Sequence, residues 1–324
     1  MKIAIYGAGA IGGWLGVRLA QAGCSLSVVA RGASLQRLRK QGLSLHSAGE
    51  LHTVAVQASE QPFDLGVQEL VIVAVKAPAM ASVAAAIGPL LGPQTMVLTA
   101  MNGVPWWFLQ GLGGALQGQR LQAVDPSGAI AQAIAPQHVL GGVVHASCAL
   151  ESPGCVRHHF GNGLIIGEPA GGSSPRVQAL CALLERAGFA ASVSPQIQKD
   201  VWYKLWGNMT VNPVSALTGA TTDLIMADPL VRCFISNVML EAKEIGAHLG
   251  LPIAQAPEDR HEVTRKLGAF KTSMLQDVES GKAVELDALV GAVQELGART
   301  GVATPYTDAL LGLARLHARV RGLY

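Results

Sequence analysis

The sequence predicts an α/β fold, in which a doubly wound N-terminal domain is followed by a mainly α-helical C-terminal domain. Its 324 residues match two domains of about 150 residues each. The chain opens with a strand, a glycine turn, a helix and a second strand. After about Pro195, clusters of β-branched residues give way to apolar residues at helical spacing. We therefore expect an N-terminal domain over residues 1–195 and a C-terminal domain over residues 196–324.

The opening βαβ unit is predicted from three short segments. Lys2 to Tyr6 is a short, mainly apolar run that ends at Gly7 and indicates a strand; Ala10 to Gln21 has helical apolar spacing and is closed by Gly23. Ser25 to Ala30 is mainly β-branched and apolar, which is typical of a strand.

Further strands and helices follow in the order that a mostly parallel sheet with an irregular flank would require. The predicted strands or hairpins are Leu43 to Ala58, Leu70 to Val75, Thr95 to Thr99, Val139 to Leu150, Gly154 to His159 and Leu164 to Ile166. The predicted helices of the second half are Gln196 to Val211, Val231 to Leu249 and Ala283 to Thr300.

The composition excludes several classes of protein. Half of the residues are hydrophobic and only 14% are charged, which is too apolar for a disordered chain. The net charge of +2 and the lack of Lys or Arg runs argue against a nucleic-acid partner. The mean hydropathy is +0.34, yet Pro, Gly, Gln and Asn interrupt the long uncharged stretches, so we expect no membrane span. Five cysteines without a CxxC pair fit a reducing, cytoplasmic location.

The glycine turn after the first strand matches the GxGxxG pattern of dinucleotide-binding sites. With 38 glycines in the chain, roughly half a match is expected by chance, so the pattern alone has little weight. Its position between an apolar strand and an amphipathic helix is the specific feature. Gly7 permits a tight turn, Gly9 lets a pyrophosphate approach the backbone, and Gly12 allows close helix–strand packing. The predicted cofactor-binding residues of this turn are Gly7, Ala8, Gly9, Ala10, Ile11 and Gly12.

The end of the second strand favours NADP(H) over NAD(H). An NAD site would have a carboxylate here to bind the ribose 2′-hydroxyl, but the chain has Arg31 and no acid. Arg31 can form a charge-assisted contact with a 2′-phosphate, to which Ser34 can also donate. The alternative is that Arg31 is a solvated residue at a strand end.

Two polar residues follow later strands of the predicted sheet. Lys76 comes directly after an apolar strand, and Asn102 follows the next one. Ligands of open parallel sheets bind beyond the carboxyl ends of the strands, so both residues are candidate cofactor or substrate contacts. Each could instead be an ordinary exposed loop residue.

A polar stripe lies on the first helix of the second half. Lys204, Asn208 and Asn212 are spaced four residues apart and so share one helix face. One lysine and two amides in so apolar a segment indicate a binding cleft, since an exposed face would mix in more Glu and Lys. Pro213 disfavours helical geometry at Asn212, so we expect a break or kink there.

These residues together resemble the ketopantoate reductase (2-dehydropantoate 2-reductase) family. The matching segments are the glycine turn, Arg31, Lys76, Asn102-Gly103, the Lys204–Pro213 helix, and the Ser273-Met-Leu-Gln-Asp277 run followed by Glu285. They span nearly the whole chain in the family's order. The resemblance implies a Rossmann-type domain followed by a helical domain, and NADPH-dependent reduction of 2-dehydropantoate to (R)-pantoate in pantothenate and coenzyme A synthesis.

The resemblance also implies residue roles. It makes Lys204 the catalytic general acid, with Glu285 as the acidic partner near nicotinamide and substrate. It makes Lys76, Asn102 and Glu285 cofactor contacts. The substrate-binding residues that it implies are Asn102, Asn208, Asn212 and Ser273. Members of the family include dimers, which favours a homodimer here.

Two alternatives stay open at this stage. The aromatic segment Pro105-Trp106-Trp107-Phe108 would alter the pocket if it lined it, and the substrate would then be another 2-oxo or hydroxy acid; otherwise it packs in the core. A protein of another class, which binds NADP(H) for regulation without chemistry, would not need Lys204, Asn208 and Glu285 together. We expect no metal, because the His261-Glu262 pair lacks the second histidine of the HExxH zinc motif and lies on what we interpret as a solvated helix face.

Overall fold

The computed structural model describes residues 1–324, and they form two compact units. The first unit comprises residues 1–101 and 127–197, and the second comprises residues 102–126 and 198–324. The sequence pattern predicted one boundary near residue 195. The structure has a boundary close to that position, but it also assigns the segment 102–126 to the second unit. No helix is both long and apolar enough to cross a lipid bilayer.

The first unit is a ten-stranded sheet with five helices. The strands are β1 Lys2–Tyr6, β2 Ser25–Val29, β3 Leu43–Ser47, β4 Glu50–Val54, β5 Gln57–Ser59, β6 Leu70–Val73, β7 Met96–Thr99, β8 Val139–Ser152, β9 Cys155–Gly167 and β10 Ala190–Val193. The helices are α1 Ala10–Gln21, α2 Gly32–Gln41, α3 Met80–Ala86, α4 Ala129–Ala133 and α5 Pro175–Arg186, with 3₁₀ turns at Pro62–Leu65, Ala77–Ala79, Gly88–Leu90 and Pro136–His138.

The sheet has the doubly wound order that the sequence predicts. The strands run β4-β3-β9-β8-β7-β6-β1-β2-β5, with β10 also paired to β9. The pairs are parallel except for the hairpins β3–β4 and β8–β9. β6 is buried along its whole length, as expected for a parallel strand covered on both faces, whereas β4 is a polar, mostly exposed edge strand. The Rossmann-type α/β domain is thus confirmed.

The irregular flank is more continuous than expected. The segments predicted as separate strands, 154–159 and 164–166, form the single strand β9, which pairs with the equally long β8. Register shifts between His145 and Ser152 absorb the irregular spacing that suggested a gap.

The second unit is helical. Its helices are α6 Ile197–Thr218, α7 Thr222–Ala227, α8 Pro229–His248, α9 Pro257–Arg265, α10 Ser273–Glu279, α11 Ala292–Thr300 and α12 Pro305–Val320, and a π-helical turn spans Asp287–Gly291. Trp206 of α6 donates to the Met239 carbonyl of α8 at 2.7 Å. The Glu241 carboxylate accepts from the backbone N–H groups of Tyr306 and Thr307, at 2.8 Å each, and so caps α12.

The expected break at Pro213 is wrong, because α6 runs through it to Thr218. Pro213 removes one helical hydrogen bond, but α6 is buried over most of its surface from Val201 to Ala216. Tertiary packing on several faces therefore holds the proline in the helix despite its local cost.

The segment 102–126 is fixed to α11 by two side chains. The Glu295 carboxylate accepts from the backbone N–H groups of Gln122 and Ala123 at 2.9 and 2.8 Å. Arg299 donates to the Gln119 side chain and to the Arg120 carbonyl. These bonds connect positions more than 170 residues apart, which explains why the sequence pattern did not associate this segment with the helical unit.

Candidate active site

The glycine turn between β1 and α1 has a different steric requirement at each glycine. Gly7 has φ +98°, and an added Cβ would lie 2.7 Å from Val75 Cγ1. At Gly12 a Cβ would lie 2.1 Å from the Gly7 carbonyl oxygen, which no side chain can tolerate. At Gly9 a Cβ would meet nothing within 4 Å. The turn is thus closed at its outer glycines and open at Gly9.

The open position is the N-terminus of α1. Gly9 is the N-cap residue of this 12-residue helix, no side chain caps it, and no acidic residue lies in its first turn. The first N–H groups and the positive end of the helix dipole are available to a ligand at this point. The arrangement fits the pyrophosphate of a dinucleotide, since phosphates bind to backbone N–H groups in this geometry.

Two cationic side chains follow strands β2 and β6, which pair with β1 on its two sides. Arg31 is exposed at the N-terminus of α2, lies close enough to lower the pKa of Tyr6, and has no carboxylate partner. Burial has the larger, opposing effect and raises the Tyr6 pKa overall. Lys76, three residues beyond β6, is half-buried. The carboxyl edge of the sheet therefore presents positive charge where the sequence placed the cofactor.

The second unit brings three of the predicted site residues, Lys204, Asn102 and Glu285, close to one another. Lys204 of α6 is half-buried and donates to Asn102 Oδ1 at 2.9 Å. Glu285, which is buried, acts electrostatically on Lys204. Burial lowers the pKa of Lys204 to about 8, Glu285 opposes this effect, and Arg260 lowers the pKa further. The ammonium is thus poised near neutral pH, as a general acid requires.

The turn that carries Asn102 packs against the segment that follows Glu285. Gly103 has φ +83°, and a Cβ there would lie 2.6 Å from the Ala288 carbonyl oxygen. The same oxygen accepts from the Val104 N–H at 2.8 Å. Ala288 lies in the π-helical turn, a local irregularity that is frequent at functional sites. The sequence predicted an uninterrupted helix over 283–300, and this turn was missed.

For the remaining predicted substrate residues, the structure gives a position in a helix but no side-chain hydrogen bond with Lys204. Asn208 is half-buried and Asn212 is buried, one and two helical turns beyond Lys204 on α6. Ser273 is exposed at the first position of α10, directly after the N-cap residue Thr272. The stripe on α6 is therefore present, whereas Ser273 is defined only by its position at a helix start.

Arg260 is the residue that sequence reasoning missed. Its helix, α9, was interpreted as a solvated face, and this is correct for the exposed Glu258, Asp259 and Lys266. However, His261 is 4% exposed and Arg260 is half-buried, with its Nε inside the protein. Pro257, His261 and Thr264 are buried at spacings of four and three residues, a periodicity that could have revealed the inward face.

The aromatic segment after Asn102 belongs to the core of the second unit. Trp106, Trp107 and Phe108 are 5%, 1% and 0% exposed. The Phe108 ring lies 5.8 Å from that of Trp202 on α6, centroid to centroid. Of the two interpretations of this segment, pocket lining and core packing, the structure favours core packing.

One group of donors elsewhere has the composition of a metal site. His46, Glu151 and Cys155 place one ligand atom each within 4.8 Å of one another. Glu151 accepts hydrogen bonds from both His46 and Arg157, and the His46 bond is the main cause of its lowered pKa. The hydrogen bonds and ion pairs of Glu151 with these residues therefore explain why the donor groups lie close together.

Comparison with known proteins gives a consistent result over the full chain. The family model described as ketopantoate reductase PanE/ApbA matches residues 3–171, and its C-terminal counterpart matches residues 196–318. The chain is 46% identical to 2-dehydropantoate 2-reductase of Mesorhizobium japonicum over 325 aligned residues, with all of both chains covered.

Solved structures share the fold. A candidate ketopantoate reductase from Ralstonia solanacearum MolK2 has 60% identity and a TM-score of 0.96 over 99% of both chains. D-mandelate dehydrogenase, solved with NADH and anilino(oxo)acetate, has 21% identity and a TM-score of 0.86 over the whole of both chains, a likeness that concerns the fold alone.

Proposed function

Since this chain belongs to the ketopantoate reductase family and is an oxidoreductase of that type, we propose that it reduces 2-dehydropantoate to (R)-pantoate with NADPH. The observation that supports this most directly is the Lys204 ammonium, bonded to Asn102 and placed in the field of Glu285. A protein that only sensed the nucleotide would need no such proton donor.

The chemistry requires two transfers. When bound, a reduced nicotinamide would supply the hydride for the C2 carbonyl carbon of the substrate, and the carbonyl oxygen would take up negative charge as an alkoxide. Lys204 Nζ donates a proton to that oxygen and stabilises its developing charge beforehand. A positioned acid of this kind contributes about 10²–10⁴ in rate, or roughly 3–5 kcal/mol of barrier.

The neighbouring groups prepare Lys204 for this step. Asn102 accepts one hydrogen bond and fixes the direction of the ammonium. Glu285 favours the protonated form, whereas burial and Arg260 favour the neutral form, so the lysine can release its proton and regain it near pH 8. We assign Asn208, Asn212 and Ser273 to the substrate's carboxylate and hydroxyl groups, as the family likeness implies.

We assign the cofactor to the carboxyl edge of the first unit's sheet. The open position at Gly9 and the uncapped start of α1 suit the pyrophosphate. Arg31, exposed and without a carboxylate partner, suits the 2′-phosphate of NADP(H). Lys76 follows β6, the strand on the other side of β1, and adds a second positive charge to this edge of the sheet.

The proposal extends to assembly and location. We propose a homodimer because α12 exposes an apolar row, Leu313, Leu316 and Val320, at 60%, 61% and 81%. Light scattering should give twice the chain mass, and Leu316→Glu should return the monomer mass. We also propose a cytoplasmic location, which suits five unpaired cysteines.

The activity is tested by following NADPH absorbance with a panel of 2-oxo acids. The panel contains 2-dehydropantoate, 3-methyl-2-oxobutanoate, pyruvate and phenylglyoxylate. We expect the highest kcat/KM with 2-dehydropantoate. A higher value with another member would reassign the substrate, and NADPH binding without oxidation of any member would leave only the regulatory alternative.

A further inference from the structure

The Arg260 side chain is half-buried in the second unit and has no counter-ion. It forms no ion pair, its Nε is buried without a hydrogen-bond partner, and burial lowers its pKa. Its one aromatic contact is the Tyr203 ring, at 5.8 Å from the centroid. Arginines that are partly withdrawn from water are normally paired with carboxylates, so Arg260 has unused capacity to bind an anion.

A glycine of α6 lets the Arg260 side chain of α9 approach the α6 backbone. A Cβ added at Gly207 would lie 2.3 Å from Arg260 Nε and 2.7 Å from its Nη2. The guanidinium therefore lies directly on the backbone of α6, where any larger residue would displace it. Gly207 is three residues beyond Lys204, and residues at that spacing are neighbours on a helix surface.

Arg260 lies in the electrostatic environment of Lys204. It acts on the Lys204 ammonium as a like charge and lowers its pKa, while Glu285 acts as an opposite charge. An anion bound to Arg260 would therefore also lie in the field of the Lys204 ammonium.

We infer that Arg260 supplies a charged contact to the carboxylate of the 2-oxo acid, in addition to the amide and hydroxyl contacts proposed above, and that residue 207 is a glycine to admit the guanidinium. This inference rests on the proposed function, because it concerns the anion of that substrate. A planar guanidinium can bind a carboxylate through two parallel hydrogen bonds, which fixes the adjacent carbonyl in orientation as well as position. Arg260 thereby selects 2-oxo acids over neutral ketones.

The test compares each 2-oxo acid with its methyl ester, which lacks the negative charge. We expect Arg260→Met to raise KM for the acid about 10- to 100-fold and to lower the acid-to-ester ratio of kcat/KM by a similar factor. Arg260→Lys should give a smaller loss, since it keeps the charge without the planar fork. Gly207→Ala should shift the ratio in the same direction with the arginine still present.

Arg265→Met is the matched control, because Arg265 is on the same helix but exposed and paired with Glu262. It should leave the ratio unchanged. Thermal melting of each variant separates loss of folding from loss of binding. Equal losses for acid and ester in folded Arg260→Met would mean a structural role, and a rise in the KM of NADPH instead would assign Arg260 to a cofactor phosphate.

A binding measurement separates this inference from the proposed function. Oxamate carries a carboxylate beside a carbonyl but is not reduced, and its affinity for the NADP⁺ complex can be measured by calorimetry. We expect the wild type to bind oxamate at least tenfold more tightly than Arg260→Met. Equal affinity would overturn the inference, whereas failure of the wild type to reduce any 2-oxo acid would overturn only the proposed function.

Discussion

The first compact unit offers mainly backbone groups to a ligand, whereas the second offers charged side chains that are partly buried in the protein. At the start of α1 the relevant atoms are the N–H groups beside Gly9, and Arg31 near them is exposed. In the second unit, Lys204 and Arg260 are half-buried, and Arg260 lowers the pKa of Lys204. A backbone site needs only space and geometry, but a buried charge site depends on every neighbouring charge.

The largest expected effect concerns Lys204. Lys204→Ala should lower kcat by about 10²–10⁴ because it removes the proposed proton donor to the alkoxide. NADPH binding, measured by fluorescence titration, should survive, since the cofactor is assigned to the other unit. Lys199→Ala, an exposed lysine on the same helix, serves as the control and should retain wild-type kcat. Near-normal turnover in Lys204→Ala would remove the assignment of the acid.

The next effect concerns the exposed cation of the first unit. Arg31→Ala should raise the KM of NADPH by about 10- to 100-fold through loss of charge-assisted hydrogen bonds to the 2′-phosphate, with little change in the KM of NADH. Lys40→Ala, which removes an exposed charge from α2, should leave both values as they are. An equal loss with the two nucleotides would show that Arg31 does not read the phosphate.

Substitutions at two glycines of the turn, Gly9 and Gly12, should separate an effect on stability from an effect on nucleotide binding. Gly12→Ala should lower the free energy of unfolding by about 1–3 kcal/mol, because its Cβ would overlap the Gly7 carbonyl. Gly9→Ala should change stability by at most about 1 kcal/mol yet weaken NADPH binding, since its methyl would project into open space. Chemical denaturation and nucleotide titration of both variants provide the measurement; the reverse pattern would contradict a backbone phosphate site.

The smallest effect is a pH dependence. Lys204 must be protonated to donate, so kcat/KM for reduction should be level below pH 8 and fall about tenfold per unit above it. Oxidation of the 2-hydroxy acid should rise through the same range. Glu285→Gln removes the charge that raises the Lys204 pKa, so the inflection should move to lower pH. An inflection that stayed in place would mean that the pair is not coupled.

Much of the fold was accessible from the sequence because its causes are local. The βαβ start follows from short apolar runs and from glycines at fixed offsets, and β6 is recognisable as a continuous apolar strand. The break expected at Pro213 was wrong because its cause is not local. Proline disfavours a helix interior, but packing against other parts of the chain keeps α6 helical at this position.

The sequence by itself determined the class of fold, the glycine turn, and the residue types that proton transfer to an oxo acid needs. Only the tertiary structure decided which charged groups lie close enough to interact. It joined Asn102 to Lys204 across a separation of 102 residues, and it brought Arg260 onto the Gly207 backbone. Helical and strand periodicity are set by neighbours along the chain, whereas the electrostatics of a buried group depend on distances that only the folded chain defines.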